Sequence, residues 1–265
     1  MRYAAAVFVS FAMLTLPVGC SSLEPDPPAP YEPSPLGNGD RVADVTNPGA
    51  STYAPGQNVD LTSLVALWQD EFDETRDGKS VGTVYFQDVG SQAPYSGLSA
   101  FEASFVPADI RIFPGDVFDV VGEYEESLNV GTAVFPTPQT LPQLARPVCT
   151  FRYEYVSPPP TPVPLSDLND YDLGRKWEGM LVTVKDVYID TASTDSSGRV
   201  TYSMVSSAGQ LPPNNSVAIS NELYALQPNA YPSGTHFASV TGIVTWFYSY
   251  HVAPRTPADL DCDCE

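Results

Sequence analysis

Apolar residues in this chain alternate with polar ones, or gather into β-branched and aromatic blocks, in short stretches punctuated by turn residues. Ahead of the proline triplet at 158–160 these stretches are 59–68, 80–89, 97–105, 117–124 and 151–155; beyond it they are 180–189, 200–205, 216–219 and 237–250. Each predicts a strand, because a period of two turns one face toward a core and because β-branched and aromatic side chains fit a pleated surface. Asp77-Gly78, Pro114-Gly115-Asp116 and Ser196-Ser197-Gly198 supply turn chemistry between them. Only 221–226 reads as a helical turn, with Asn221 placed to cap it. The pattern predicts an all-β protein.

Proline divides the chain. Residues 20–58 carry Pro25, Pro27, Pro28, Pro30, Pro33, Pro35, Pro48 and Pro55 among few apolar residues, which predicts a disordered tether. At ~3.1 Å per residue, such a segment could hold a folded body on the order of 100 Å from its point of attachment. A second proline-rich run, 158–164, predicts a linker between one β unit at 59–157 and another at 165–265. An internal echo supports two copies of one unit: Phe113-Pro114-Gly115-Asp116, leading to Gly122, is matched by Tyr231-Pro232-Ser233-Gly234, leading to Gly242. In both, an aromatic-Pro turn feeds a strand with a glycine inside it, where a small closed sheet needs to bend.

The N-terminus predicts an address. Arg2, an uncharged run from 4 to 18 and Gly19 ahead of Cys20 describe an export signal at 1–19, too short to cross ~30 Å of hydrocarbon as a helix. Leu16-Pro17-Val18-Gly19-Cys20 resembles the lipobox of bacterial lipoproteins. That resemblance implies that Cys20 becomes the lipid-bearing first residue, anchored in a membrane of the cell envelope. Pro17 stands where the family usually has Leu, and a plain secretory signal cut nearby is the alternative. Ser21 is not the retention Asp that holds some bacterial lipoproteins at the inner membrane, which favours the outer membrane.

With 32 acidic against 12 basic residues, the formal charge of -20 repels phosphate backbones and makes nucleic acid a poor candidate ligand. In an oxidising envelope Cys149, Cys262 and Cys264 are disulfide candidates; Cys262 with Cys264 would close a very small loop, which favours Cys149 with one of that pair. Acids flank the Cys-x-Cys, but only His236 and His251 could complete a metal site and neither is near in sequence. No metal and no cofactor is implied.

Three stretches carry a further resemblance. Residues 80–88, ending Gln87-Asp88, are followed by Pro94-Tyr95-Ser96-Gly97 and then by Pro114-Gly115-Asp116 leading to Gly122-Glu123-Tyr124. Together these resemble the OB-like repeat found in envelope lipoproteins and beside secreted bacterial nucleases. Trp177-Glu178-Gly179-Met180, with 237–244 and Pro254-Arg255-Thr256-Pro257, is similar to a companion copy. The resemblance implies two tandem small OB-like β-barrels, without the catalytic nuclease domain, and hence a binding or scaffolding module. An accessory module of a nuclease or other hydrolase system is the alternative it implies.

No nucleophile elbow, zinc-protease helix or phosphate loop is present, so the sequence predicts no catalytic residues and no enzyme. Glu102, Asp109, Asp116 and Asp119 could supply a carboxylate pair, but acids this frequent are expected on a solvated face. The clusters at 70–74 and 123–126 lack a calcium-loop pattern and read as surface charge. His236 and His251 read as solvent-facing edge residues. The remaining candidate is the run Trp246-Phe247-Tyr248-Ser249-Tyr250. Continued as a strand, it puts Trp246, Tyr248 and Tyr250 on one face, either as core or as an exposed platform for a glycan or an envelope protein.

Overall fold

In a computed structural model, residues 39–73, 76, 78, 82–130, 133–213 and 216–264 are described. The predicted signal peptide, Cys20 and residues 21–38 of the proline-rich segment lie outside them. Among the described residues no helix is long and apolar enough to cross a membrane. The chain is mostly β, in two large sheets.

The first sheet follows helix α1 (Val42–Thr46) and comprises β1 (Asn58–Gln69), β2 (Val84–Asp88), β3 (Gly97–Phe101), β4 (Ser104–Val106), β5 (Asp116–Ser127) and, after the small β6 (Asn129–Val130) and β7 (Ala133–Val134) hairpin, β8 (Leu141–Glu154). The second comprises β9 (Thr161–Pro162) and, after the short helices α2 (Leu165–Leu168) and α3 (Tyr171–Gly174), β10 (Leu181–Thr194), β11 (Val200–Val205), β12 (Ala218–Ser220), β13 (His236–Trp246), β14 (Tyr250–Ala253) and β15 (Leu260–Cys262).

The two sheets repeat one order. In the first, β1 pairs with β2, β2 with β3, β3 in parallel with β8, β8 with β5, and β5 returns to β1. In the second, β10, β11, β12, β14 and β13 pair in the same sequence of senses, with β12–β14 parallel and β13 returning to β10. The echoed glycines occupy equivalent strands: Gly122 of β5 pairs with Val59, and Gly242 of β13 with Val182. A Cβ on Gly122 would lie 2.8 Å from the Pro147 Cβ, and one on Gly242 2.5 Å from the Ala253 carbonyl oxygen. Both positions therefore serve a close approach of the neighbouring strand.

Each sheet encloses its own apolar cluster, around Leu61, Phe86, Phe118 and Leu144 in the first and around Val182, Tyr202, Phe237 and Val252 in the second. A third cluster (Val65, Leu67, Val117, Leu181, Leu223, Ile243, Ala253) joins them. Strand β1 shows why its sequence is nearly continuous in apolar residues: Leu64 and Ala66 face the first core while Val65 and Leu67 face the seam. A register shift between Leu61 and Leu64, where Ser63 takes a φ of 60°, brings Val59 and Leu61 onto the same core face as Leu64 and Ala66.

Several segments differ from the sequence reading. Residues 39–57, grouped there with the tether, include α1, whose Val42 and Val45 are buried in the first core. The 158–164 spacer is docked: β9 pairs in parallel with β10, and the Val163 amide donates to the Thr183 carbonyl at 3.0 Å. The prolines donate nothing, yet the residues between them remain free to pair. The predicted 97–105 strand breaks at Glu102, whose φ is 51°, into β3 and β4. Strand β8 begins ten residues before the predicted 151, across Pro142 and Pro147; Arg146, at φ 45°, adjoins a register shift that accommodates the second proline. Asn221 caps no helix. Its Oδ1 accepts from the Val200 amide at 2.9 Å, pinning the following bend to β11.

Cysteine pairing also departs from the expectation. Cys262 is joined to Cys264, with their Cα atoms 5.1 Å apart, and Cys149 is a buried free thiol facing the first core. Its place in the middle of β8 explains why no partner reaches it. Burial pushes the Cys149 thiol up to about 12, so it is protonated at any ordinary pH. The peptide bearing Cys149 is therefore expected to resist iodoacetamide at pH 8 in the native protein and to label fully in urea. Native labelling at the rate of an exposed thiol, read by mass spectrometry, would refute this burial.

Candidate functional site

Where the two sheets meet they leave a cleft of about 350 Å³, with walls from both. Tyr85 of β2, Phe101 of β3 and Glu125 and Arg146 of β5 and β8 form one side; Glu178, Arg199, Glu222, Trp246 and Phe247 form the other. On the first side, β3 and β8 run in parallel with Phe101 opposite Ala145, so Glu102 and Arg146 follow side by side at the edge. Both are exposed and both hold left-handed backbone, at φ 51° and 45°. Non-glycine residues in that region are strained, and such strain concentrates at binding sites.

On the second side, Glu222 lies in the bend after β12. Its Oε1 is 2.8 Å from Nδ1 of His251, and its Oε2 accepts from the Thr245 hydroxyl. Burial alone would raise its carboxyl; the His251 hydrogen bond and charge, Thr245 and Arg199 outweigh it and hold Glu222 below the ordinary carboxylate range. An ionised carboxylate only accepts, so the His251 Nδ1 carries the proton. Arg199 also lies over the Phe247 ring, 5.2 Å from its centroid.

Glu178 is the unusual member. It follows the 3₁₀ turn Arg175–Trp177, is 6 % exposed, and neither carboxyl oxygen makes a hydrogen bond. Burial raises its pKa well above the ordinary value; Arg175 pulls it back and Glu126 pushes it further up. Burial therefore favours the protonated form of Glu178. Trp246, 5 % exposed, likewise has an Nε1–H without a partner.

Behind this wall a polar network ties the sheets together. Arg175 pairs with Glu126 and donates through Nη1 to Thr140 Oγ1 and Tyr171 Oη, both at 3.0 Å. Glu126 also accepts from Tyr124 and from Thr140. Such a mostly enclosed pair fixes one relative placement, since losing either partner strands the other's charge.

The structure redistributes the predicted site residues. The 237–250 stretch is not one strand: β13 ends at Trp246, a tight turn with Tyr248 at φ 62° reverses the chain, and Tyr250 opens β14 opposite Trp246. The period of two is lost at that turn. Tyr250 is core, its hydroxyl donating to the Tyr171 carbonyl at 2.9 Å. Tyr248 stands 41 % exposed at the hairpin tip, so the three rings form no common platform; Trp246 alone lines the cleft.

Of the acids expected on a solvated face, Asp116 and Asp119 are buried. Asp116 accepts from the Phe113 amide at 2.7 Å, and Asp119 accepts from the Ser63 amide at 3.0 Å and pairs with Arg152. Both organise turns and bulges. His251 is buried in place of facing solvent, whereas His236 is partly exposed beside Asp263 at 2.6 Å. Sequence reasoning missed Glu178, Arg146 and Glu222. The available signal for Glu178 was an acid set between aromatic and apolar neighbours in Trp177-Glu178-Gly179-Met180-Leu181.

Among the described residues, no group of three or more His, Cys, Asp or Glu side chains is arranged to hold a metal ion. Comparison with protein-family models and with curated proteins finds no match to the chain.

Proposed function

We propose that this chain is an exported bacterial lipoprotein, anchored in the cell envelope, and in its outer membrane, through an acylated Cys20. In this reading its two sheets are tandem OB-like barrels that bind a protein or glycan partner in the cleft between them without transforming it. The cleft carries the reading: it draws aromatic and charged side chains from both sheets, as small-molecule and peptide sites between structural units commonly do. The repeated closure of five strands, parallel at one pairing, supports the OB-like assignment.

One observation favours a hydrolase as second reading. The Glu178 carboxyl is pushed up and the Glu222 carboxyl down, and both line the cleft, the opposed shifts that acid–base catalysis uses. Two facts count against it. The Glu178 oxygens are enclosed, and the Glu222 carboxylate is engaged by His251 and Thr245, so neither is presented to a substrate bond. The third reading, an accessory module of a nuclease, has to overcome the -20 charge.

The test has two arms. The mature N-terminus should be a diacylglyceryl-modified Cys20 by mass measurement; an intact Met1 sinks the lipoprotein reading. A photo-cross-linking amino acid replacing Phe101 at the cleft should trap an envelope component that the same group at Leu211, exposed outside the cleft, does not. Equal labelling from both positions would remove the cleft as a binding site.

A further inference from the structure

A structural disulfide stabilises by joining segments that would otherwise separate, and its effect grows with the length of chain that it closes. Cys262 and Cys264 enclose a single residue. The segment they stand in is held without them: β15 pairs with β13, with Cys262 opposite Phe237, Asp261 opposite Ser239 and Leu260 opposite Val240. Just beyond β15 the Asp263 amide donates to the His236 carbonyl at 3.2 Å, and the Asp263 carboxylate lies 2.6 Å from the His236 Nδ1. The bond therefore ties down nothing that the backbone leaves loose.

What it offers is access. Cys262 is half-buried against the second core, whereas Cys264 is exposed. Exposed disulfides are the ones that exchange readily with thiols, in contrast with those that staple a fold. Cys149 is buried in the first core and cannot compete for either sulfur. Once the pair is reduced, the β15 pairing and the His236 contacts still hold both thiols in one short segment, ready to be closed again by an oxidant.

Charge selects the partner. Asp261 and Asp263, both exposed, alternate with the two cysteines, and the exposed Asp186 lies 3.9 Å from His236 Nε2. Of the basic groups nearby, Arg255 is paired with Asp259, and Lys185 stands two strands from Asp261, beyond Ser239, with Asp186 following it. The surroundings are thus acidic on balance. They repel a thiolate that carries further negative charge and attract one set beside a positive group.

We propose that Cys262–Cys264 is a redox-active disulfide that takes two electrons from a positively charged thiol donor, a dithiol or two monothiols, and is entered at Cys264. The donor thiolate attacks Cys264 Sγ; a bond forms between those sulfurs as the Cys262–Cys264 bond breaks, and its electron pair leaves on Cys262 Sγ, which takes a proton from water. A second donor thiolate then attacks the donor sulfur of this mixed disulfide and releases Cys264 as a thiolate, protonated in turn. The donor departs as a disulfide, oxidised by two electrons. Neither the cleft nor its occupant takes part.

The purified native protein, held at pH 7.5 in roughly a 10:1 millimolar mixture of reduced and oxidised glutathione, should have more than about half of this pair open at equilibrium. Iodoacetamide labelling read by peptide mass should then find Cys262 and Cys264 modified and Cys149 not, with the far-UV circular dichroism unchanged. Cysteamine should open the pair at least about 5-fold faster than 2-mercaptoethanesulfonate, each rate scaled to that with 2-hydroxyethyl disulfide. The ratio should fall toward one in about 1 M salt, or when Asp261→Asn is combined with Asp263→Asn. Cys262→Ser, which leaves Cys264, should form a mixed disulfide with cystamine about 10-fold faster than Cys264→Ser does.

A pair that stays closed in the glutathione mixture, or opens only when Cys149 also labels, is structural and overturns the proposal. Free thiols at both positions after treatment with oxidised glutathione alone overturn it as well. Equal rates with the two charged thiols refute the choice of partner, and equal rates with the two serine variants refute entry at Cys264.

Discussion

Gly179→Ala is expected to destabilise the protein by more than about 3 kcal/mol. Two penalties combine. Gly179 has a φ of +72°, a left-handed conformation that costs an L side chain roughly 1 kcal/mol. Its new Cβ would also stand 2.5 Å from the Leu98 amide nitrogen and 2.9 Å from the Gly97 carbonyl carbon. These are backbone atoms of the other sheet and cannot rotate away, so relief requires the sheets to part.

The seam offers little room for that. The Tyr95 amide donates to the Lys176 carbonyl at 2.7 Å, and the Leu181 amide donates to the buried Gln87 Oε1 at 3.1 Å. Gly209→Ala is the control: its φ is +74° and nothing lies within 4 Å of its would-be Cβ, so only the conformational cost of about 1 kcal/mol applies. Urea unfolding of the two variants measures the contact by difference. Equal losses at both positions would show that the sheets do not press together at Gly179.

Stability is expected to rise when the pH is lowered from 7.5 to 5, against the habit of carboxylate-rich proteins. The cause is two carboxyls whose pKa the fold raises. Burial raises Asp88 from 3.8 to about 6; the Val42 amide at 3.2 Å and Arg41 oppose the shift, and Asp44 adds to it. Between about pH 4 and 6 the unfolded chain releases that proton while the folded chain keeps it. Folding therefore loses about 1.4 kcal/mol per unit, or about 3 kcal/mol across the window, as the pH rises through the folded value.

Glu178 is raised as well and acts in the same direction, with a loss that continues at higher pH. Glu222 is lowered, so its contribution is present above the ordinary carboxylate value and disappears only as the pH falls below it. Maximal stability should accordingly fall in mild acid. Asp88→Asn retains an oxygen for the Val42 amide and should stabilise the protein at pH 7.5 by about 2 kcal/mol, a rise in Tm of about 4–8 °C. Asp88→Asn combined with Glu178→Gln should flatten the profile above pH 5. A parent protein that loses stability from pH 7.5 to 5, or a double variant that keeps the parent slope, would refute the account.

Glu178 shows how far a sequence reading reaches toward the site. A lone acid beside Trp177 and Met180 can be seen to sit among apolar neighbours, but the raising of its carboxyl comes from burial between the sheets, with Arg175 opposing it and Glu126 adding to it, both brought there by an ion pair between the sheets. Trp246 was legible as an aromatic near a strand end. Its place in the cleft wall, and the burial of Tyr250 beside it, followed from a three-residue reversal with a left-handed Tyr248, a conformation that tyrosine does not advertise.

Local pattern by itself determined the strand-forming stretches, the turn at 196–198 and the correspondence of Gly122 with Gly242, because these depend on side-chain alternation, backbone freedom and spacing along one segment. Tertiary structure decided which strands meet, that β8 runs through two prolines, that Cys262 joins Cys264 and leaves Cys149 in the core, and that two sheets enclose a cleft. Those outcomes turn on contacts between residues far apart in the chain. Burial, desolvation and close backbone approach exist only once both sheets are in place.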